Sequence, residues 1–186
     1  MSQMSKKLVF TSSIDFNDYK NIDKEEKVNI KQKNLRPNNN TIFSPKTIKR
    51  TQEFIEREEG LRLKAYKDTG GVWTIGYGHT KNVKPDDKIT KEEAEKFFIE
   101  DIQEHITPLK NVKISLSENE KIALVSFIYN VGPNAFLKST LLKKLNNNDK
   151  QGAAEEFNKW IYDNGKIQNG LIKRRTNEKN LFLKKD

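Results

Sequence analysis

The sequence predicts an α+β fold in which a small antiparallel sheet lobe is followed by a larger helical lobe. Three observations predict it. Residues 61–83 alternate β-favouring and polar side chains and are punctuated by glycines. Helix-start signals recur at Ser44-Pro45, Thr90 and Ser117. The run IALVSFIY (122–129) is apolar nearly all round, which marks a central helix for the others to surround.

The chain of 186 residues is long enough for one domain plus an appendage. It has no cysteine, so no disulfide is available. Its hydrophobic content of 34% is low and points to a part that does not pack. No apolar run reaches the length of a membrane span, and no secretion signal is evident, so synthesis in the cytoplasm is expected. The net charge of +9 is uneven: residues 1–50 hold 11 Lys and Arg against 5 Asp and Glu, and residues 51–186 hold 24 against 21. A basic balance favours encounter with polyanions without choosing among nucleic acid, membrane and acidic cell wall.

Residues 1–43 are Lys-, Asn- and Ser-rich and are expected to form a disordered arm, with VNIKQKN as a candidate strand and LVF (8–10) as an isolated apolar patch. The domain is expected over 44–186. Ser44 as N-cap and Pro45 at the first helical position open a helix with Ile48, Phe54 and Ile55 on its apolar side, and Gly60 stops it. The hairpin follows, with Asp68-Thr69-Gly70-Gly71 as its turn and Trp73 to Tyr77 as the return strand. Gly76 and Gly78 fall where bulk would block a close approach. Thr90-Lys91-Glu92-Glu93 and Ser117-Glu118-Asn119-Glu120 read as capping boxes, opening helices to Ile106 and to Gly132-Pro133. Further helices are expected near 138–146, 150–160 and 171–184, with DNGKIQNG as a loop.

Within this frame Glu59 and Asp68 stand nine residues apart on different elements, and two such carboxylates are the parts for glycoside hydrolysis. Glu59 lies in the last turn of its helix, where the dipole disfavours a charged carboxylate and suits a proton donor. Asp68 lies in a glycine-flanked turn open to water, which suits the ionised partner. The Thr74 hydroxyl can help Asp68 hold a water. By residue type alone these are equally a surface glutamate and a turn aspartate, and Glu58 competes for the acid role.

The full string is more specific. Glu59-Gly60-Leu61-Arg62-Leu63, then Ala65-Tyr66-Lys67-Asp68, then Trp73-Thr74-Ile75-Gly76-Tyr77-Gly78-His79-Thr80 closely resembles the phage-type lysozymes, the endolysins of T-even and lambdoid phages. LVSFIYNVGPNAFLKSTLLKKLN (124–146), AAEEFNKW (153–160) and GLIKRRTNE (170–178) match the family's later segments in order, so the resemblance covers about 47–186. It implies a lysozyme-like, two-lobed fold with a cleft between the lobes. It implies cleavage of the β-1,4 bond between N-acetylmuramic acid and N-acetylglucosamine in peptidoglycan, with inversion. Glu59, directly before Gly60, matches the family's acid, in preference to Glu58. Asp68 and Thr74 match the pair that holds the nucleophilic water. Inversion places the two carboxyl groups roughly 6.5–9.5 Å apart.

Tyr77, Gly78, Tyr129 and Ser139 match family positions that line the saccharide cleft. His79 is expected to order the sheet lobe, with no partner identifiable from the sequence. Arg174 or Arg175 is expected to reach Glu59 from the last helix. His105 reads as a helix-surface residue, and Trp73 and Trp160 as packing residues. No metal constellation or phosphate-binding loop is present in the sequence, so no cofactor is expected.

The expected partner is the peptidoglycan glycan strand, reached from the cytoplasm through a holin-like pore, by a monomer causing cell lysis. Two other readings stay open. A lytic transglycosylase needs the acid but not the Asp/Thr pair and leaves a 1,6-anhydro end. A lysozyme-fold domain can also serve as a wall-targeting module of a bacterial effector or virion, and the 43-residue arm, which compact endolysins generally lack, keeps that setting open. Nucleic-acid binding has only the basicity in its favour, and residues 51–186 carry little of it.

Overall fold

The computed structural model describes residues 43–68 and 70–185. The expected N-terminal arm, with its candidate strand and apolar patch, lies outside them apart from Phe43, which is buried. The small sheet lobe and larger helical lobe are both present.

Helix α1 (Pro45–Glu59) starts as the sequence predicts: Ser44 Oγ accepts from Thr47 N at 3.1 Å, with Pro45 in the first turn. Thr47, Ile48, Thr51, Gln52 and Ile55 form its buried face at helical spacing, and Phe54 sits at the margin. Gly60 ends the helix at φ 74°, its N–H bonded to Glu56 O at 2.8 Å. A positive φ there disfavours other residues and turns the chain directly into the hairpin.

Strands β1 (Arg62–Lys67) and β2 (Trp73–Gly76) pair antiparallel, with Tyr66 opposite Thr74 and Lys67 opposite Trp73. Residues 87–89 run along the other edge of β1 through Ala65 N to Asp87 O at 2.9 Å and Ile89 N to Leu63 O at 3.0 Å. The lobe is thin: Leu63 is largely exposed, and Ile75 supplies its buried apolar contact.

Helix α2 (Lys91–Ile106) and helix α3 (Glu118–Val131) both begin with complete capping boxes, at Thr90 and Ser117. Past Ile106 the backbone tightens into a 3-10 turn (Thr107–Asn111), so Pro108 sits inside a continuing turn and does not stop the chain outright. Helix α3 is buried at Asn119, Glu120 and from Ile122 to Ile128, and packs against α1 and α2 and the segments that follow it.

Two later elements differ from expectation. Pro133 opens another short helix, α4 (Pro133–Lys138), because a proline that cannot continue one helix is suited to the first turn of the next. Helices α5 (Thr140–Asn146) and α6 (Lys150–Glu156) follow. The expected loop DNGKIQNG contains a hairpin, β3 (Tyr162–Asp163) with β4 (Lys166–Ile167), whose turn is Asn164-Gly165, both at positive φ. Helix α7 (Asn169–Leu183) closes the domain against α3. Beneath it Phe127 meets Phe157 and Trp160 edge-on at 5.2 and 5.3 Å, and Phe157 meets Phe182 at 5.8 Å. Among the described residues no helix is long and apolar enough to cross a membrane.

Candidate active site

Glu59 is the last residue of α1, and Gly60 swings β1 away from it. Its side chain is partly exposed, and Arg174 Nη1 from α7 donates to Oε1. Of the two candidate arginines the structure therefore brings Arg174 to Glu59. Arg175 goes instead to the core: it is fully buried, its guanidinium lies 4.9 Å from the Phe127 ring, and Nη2 donates to Asn130 Oδ1 at 2.8 Å. Glu58, the competing carboxylate, accepts from Asn177 Nδ2 at 2.8 Å.

The hairpin delivers the second half of the site. Asp68 follows β1 directly, and its Oδ1 accepts from Val72 N at 2.8 Å, which closes the turn. Thr74 is buried on β2, and its hydroxyl donates to Val72 O at 3.1 Å. Tyr66 lies opposite Thr74 in the register, so these two side chains share one face of the hairpin, and Asp68 follows Tyr66 by two residues. Arg62 stacks over the Tyr66 ring at 4.3 Å. Burial raises the pKa of the Tyr66 hydroxyl, Arg62 opposes the rise, and the carboxylates of Glu59 and Asp68 both add to it. Tyr66 thus stands within electrostatic reach of both candidate carboxylates.

Helix α3 contributes Tyr129, whose hydroxyl donates to Tyr77 O at 2.9 Å. Burial raises its pKa, with Asp101 and Glu59 adding to the effect. Gly78, at φ 108°, lies under this ring: a Cβ there would stand 3.4 Å from Tyr129 Cε1. Tyr77 and Ser139 need correction. The Tyr77 side chain is in the core, edge-on to Phe98 at 5.8 Å and accepting from Gln52 Nε2 at 3.0 Å. Ser139 is buried as the N-cap of α5, accepting from Leu142 N at 3.1 Å. Gly76 and Gly78 turn the chain sharply after β2, so strand alternation no longer applies at Tyr77.

That same turn buries His79. Its Nδ1 lies 2.7 Å from Asp101 Oδ2, its Nε2 lies 3.0 Å from Lys81 O, and its ring stacks on Phe97 at 4.4 Å. The Asp101 carboxylate and the Lys81 carbonyl therefore meet the two ring nitrogens of His79 from opposite sides. His105 is also corrected: it is half-buried, with its ring 4.5 Å from that of Tyr129. A cavity beside His79 is lined also by Lys81, Phe97 and Glu100; Glu59, Asp68 and Thr74 are not among its lining residues.

Behind Arg174 lies Glu178, fully buried on the same helix, a residue to which the sequence alone assigns no role. Its Oε1 accepts from Ser126 Oγ at 2.7 Å and from Arg174 Nε at 3.1 Å. Its spacing from Arg174, four residues along one helix, was the available signal.

The profile of the family described as "Phage lysozyme" matches residues 56–178. The chain is 52% identical over 135 residues to an endolysin of Acyrthosiphon pisum secondary endosymbiont phage 1, covering 69% of this chain and 92% of that one. It is 47% identical over 134 residues to an endolysin of Bacillus phage B103, covering 70% of this chain but only 51% of that longer protein. Among solved structures, the muramidase domain of SpmX from Asticaccaulis excentricus superposes with a TM-score of 0.69 at 34% identity, covering 73% of this chain and 96% of that domain.

Proposed function

This chain belongs to the phage lysozyme family, and on that premise we propose a mechanism in which Glu59 is the acid and Asp68 with Thr74 holds the water. The chain is a glycosidase of the endolysin kind that hydrolyses peptidoglycan. The bond cleaved is the β-1,4 linkage between N-acetylmuramic acid and N-acetylglucosamine. The biological outcome is lysis of the bacterial cell, by a monomer that is made in the cytoplasm, passes a holin-like pore and acts on the wall in the periplasm.

Arg174 holds Glu59 Oε1, which leaves Oε2 to face the glycosidic oxygen. Asp68 Oδ1 is engaged by Val72 N–H, so Oδ2 is the oxygen available to a water. The Thr74 hydroxyl spends its hydrogen on Val72 O, so its lone pairs accept. A water that donates to both Asp68 and Thr74 aims its own lone pair away from them, toward the anomeric carbon. The water oxygen bonds to that carbon as the glycosidic C–O bond breaks. Glu59 gives its proton to the leaving oxygen, and Asp68 takes one from the water. Attack by water from the face opposite the leaving group inverts the anomeric centre.

The observation that carries this reading is the hold on each carboxylate by one oxygen, Glu59 by the buried Arg174 and Asp68 by Val72 N–H at 2.8 Å, with the Thr74 hydroxyl bonded to the same Val72 at 3.1 Å. Digestion of purified peptidoglycan with the full chain tests it. New reducing ends that appear first as the α-anomer by NMR are the expected product. β-Anomers would make Asp68 a nucleophile, and 1,6-anhydro ends by mass spectrometry would make the enzyme a lytic transglycosylase. Asp68→Asn is expected to slow hydrolysis by about a hundredfold or more while the fold persists.

A further inference from the structure

Arg174 is held on every side of its guanidinium. Nε donates to Glu178 Oε1 at 3.1 Å, Nη2 to Ser126 O at 3.1 Å, and Nη1 to Glu59. Glu178 is itself locked: Oε1 also accepts from Ser126 Oγ at 2.7 Å and Arg175 Nη2 at 3.3 Å, while Oε2 stands 3.0 Å from Arg175 Nε without hydrogen-bond alignment. Arg174, Arg175 and Glu178 are all buried. The cluster is therefore two guanidinium groups and one carboxylate, with Glu59 as a second carboxylate at its solvent edge.

We propose that Glu178 is a positioning residue for the acid: its buried negative charge orients Arg174 onto Glu59 and offsets the second guanidinium when Glu59 carries its proton. The proposal rests on the reading of Glu59 as the acid. With Glu59 protonated, the cluster holds two positive charges and one negative. Without the Glu178 charge, a protonated Glu59 would face two uncompensated cations, a state that favours release of the proton. Arg174 would also lose the acceptor that fixes its Nε.

The electrostatic surroundings support this role. Burial raises the Glu178 carboxyl, and Arg175, Arg174 and the Ser126 hydroxyl oppose that rise. Burial pushes Arg175 down to about 10, against the pull of Glu178. The groups facing the cluster are Glu58 and Glu59 from α1, Arg174 and Arg175 from α7, and Tyr129 from α3 beside Glu59; Tyr66 approaches Glu59 from the hairpin.

The test is the pH–rate profile of peptidoglycan hydrolysis for the full chain, read beside thermal melts. Glu178→Gln removes one negative charge from the cluster. It is expected to lower the rate at least tenfold and to move the alkaline limb to lower pH by about one pH unit. Arg175→Met removes one positive charge and is expected to move the same limb to higher pH. The double variant Glu178→Gln/Arg175→Met restores the charge balance and is expected to return the limb toward that of the unaltered protein. If Glu178→Gln fails to fold, the Arg175→Met limb alone still decides. Limbs that stay put in the folded single variants would overturn the proposal and leave Glu178 a packing residue. Full activity of Glu59→Gln would instead overturn the acid assignment, a separate outcome.

Discussion

His79 Nδ1 lies 2.7 Å from Asp101 Oδ2, and this pair ties the glycine turn at the end of the hairpin to the middle of α2. Both side chains are buried, and Lys81 O takes up the other ring nitrogen. An asparagine at 101 replaces the carboxylate acceptor of this buried hydrogen bond with a neutral amide. Asp101→Asn is therefore expected to cost on the order of 2 kcal/mol of stability. Urea unfolding measures this directly, and an unchanged midpoint would refute it. The folded fraction should still hydrolyse peptidoglycan, because neither residue reaches Glu59 in the hydrogen-bond network described.

Arg174 serves Glu59, Ser126 O and Glu178 at once through three different nitrogens. A lysine at that position keeps a charge but offers a single nitrogen on a flexible stem. Arg174→Lys is expected to lower kcat about a hundredfold with a smaller change in KM, the mark of a misplaced reacting group. Steady-state kinetics on soluble peptidoglycan fragments distinguish this from lost binding, which would raise KM alone.

Glu156 contributes acid sensitivity to the helical lobe. Hydrogen bonds from Lys144 at 2.7 Å and Lys159 at 2.9 Å hold its carboxyl below the ordinary value. A depressed folded pKa adds stability that is fully present above the unfolded value, about 4.3, and is lost as pH falls through the folded value. Urea midpoints should therefore drop below about pH 4, and Glu156→Gln should flatten that drop. Parallel acid limbs in the two proteins would contradict the assignment.

The parts of the fold written in local chemistry were legible in the sequence. Ser44-Pro45, Gly60 and the two capping boxes act within four residues of themselves, and each sits at an observed helix end. What could not be read is set by packing between distant elements. Asp101 is 22 residues from His79 and meets it only because α2 lies against the hairpin. Arg174 and Arg175 are adjacent, so only the orientation of α7 decides which one reaches Glu59. Tyr77 turned inward because two glycines at positive φ bend the strand around it. The hairpin at 162–167 was missed for a different reason: Asn164-Gly165 is a local hairpin signal, but the pairing strands are only two residues each.

The central claim is that Glu59 is the proton donor. The measurement is turbidity clearing of chloroform-permeabilised Gram-negative cells by the full chain beside Glu59→Gln. A glutamine keeps the size of the side chain and its contact with Arg174 but has no proton to give. A rate at least a thousandfold lower is expected, equivalent to about 4 kcal/mol of barrier. Equal clearing by the two proteins would contradict the account and remove Glu59 from the mechanism.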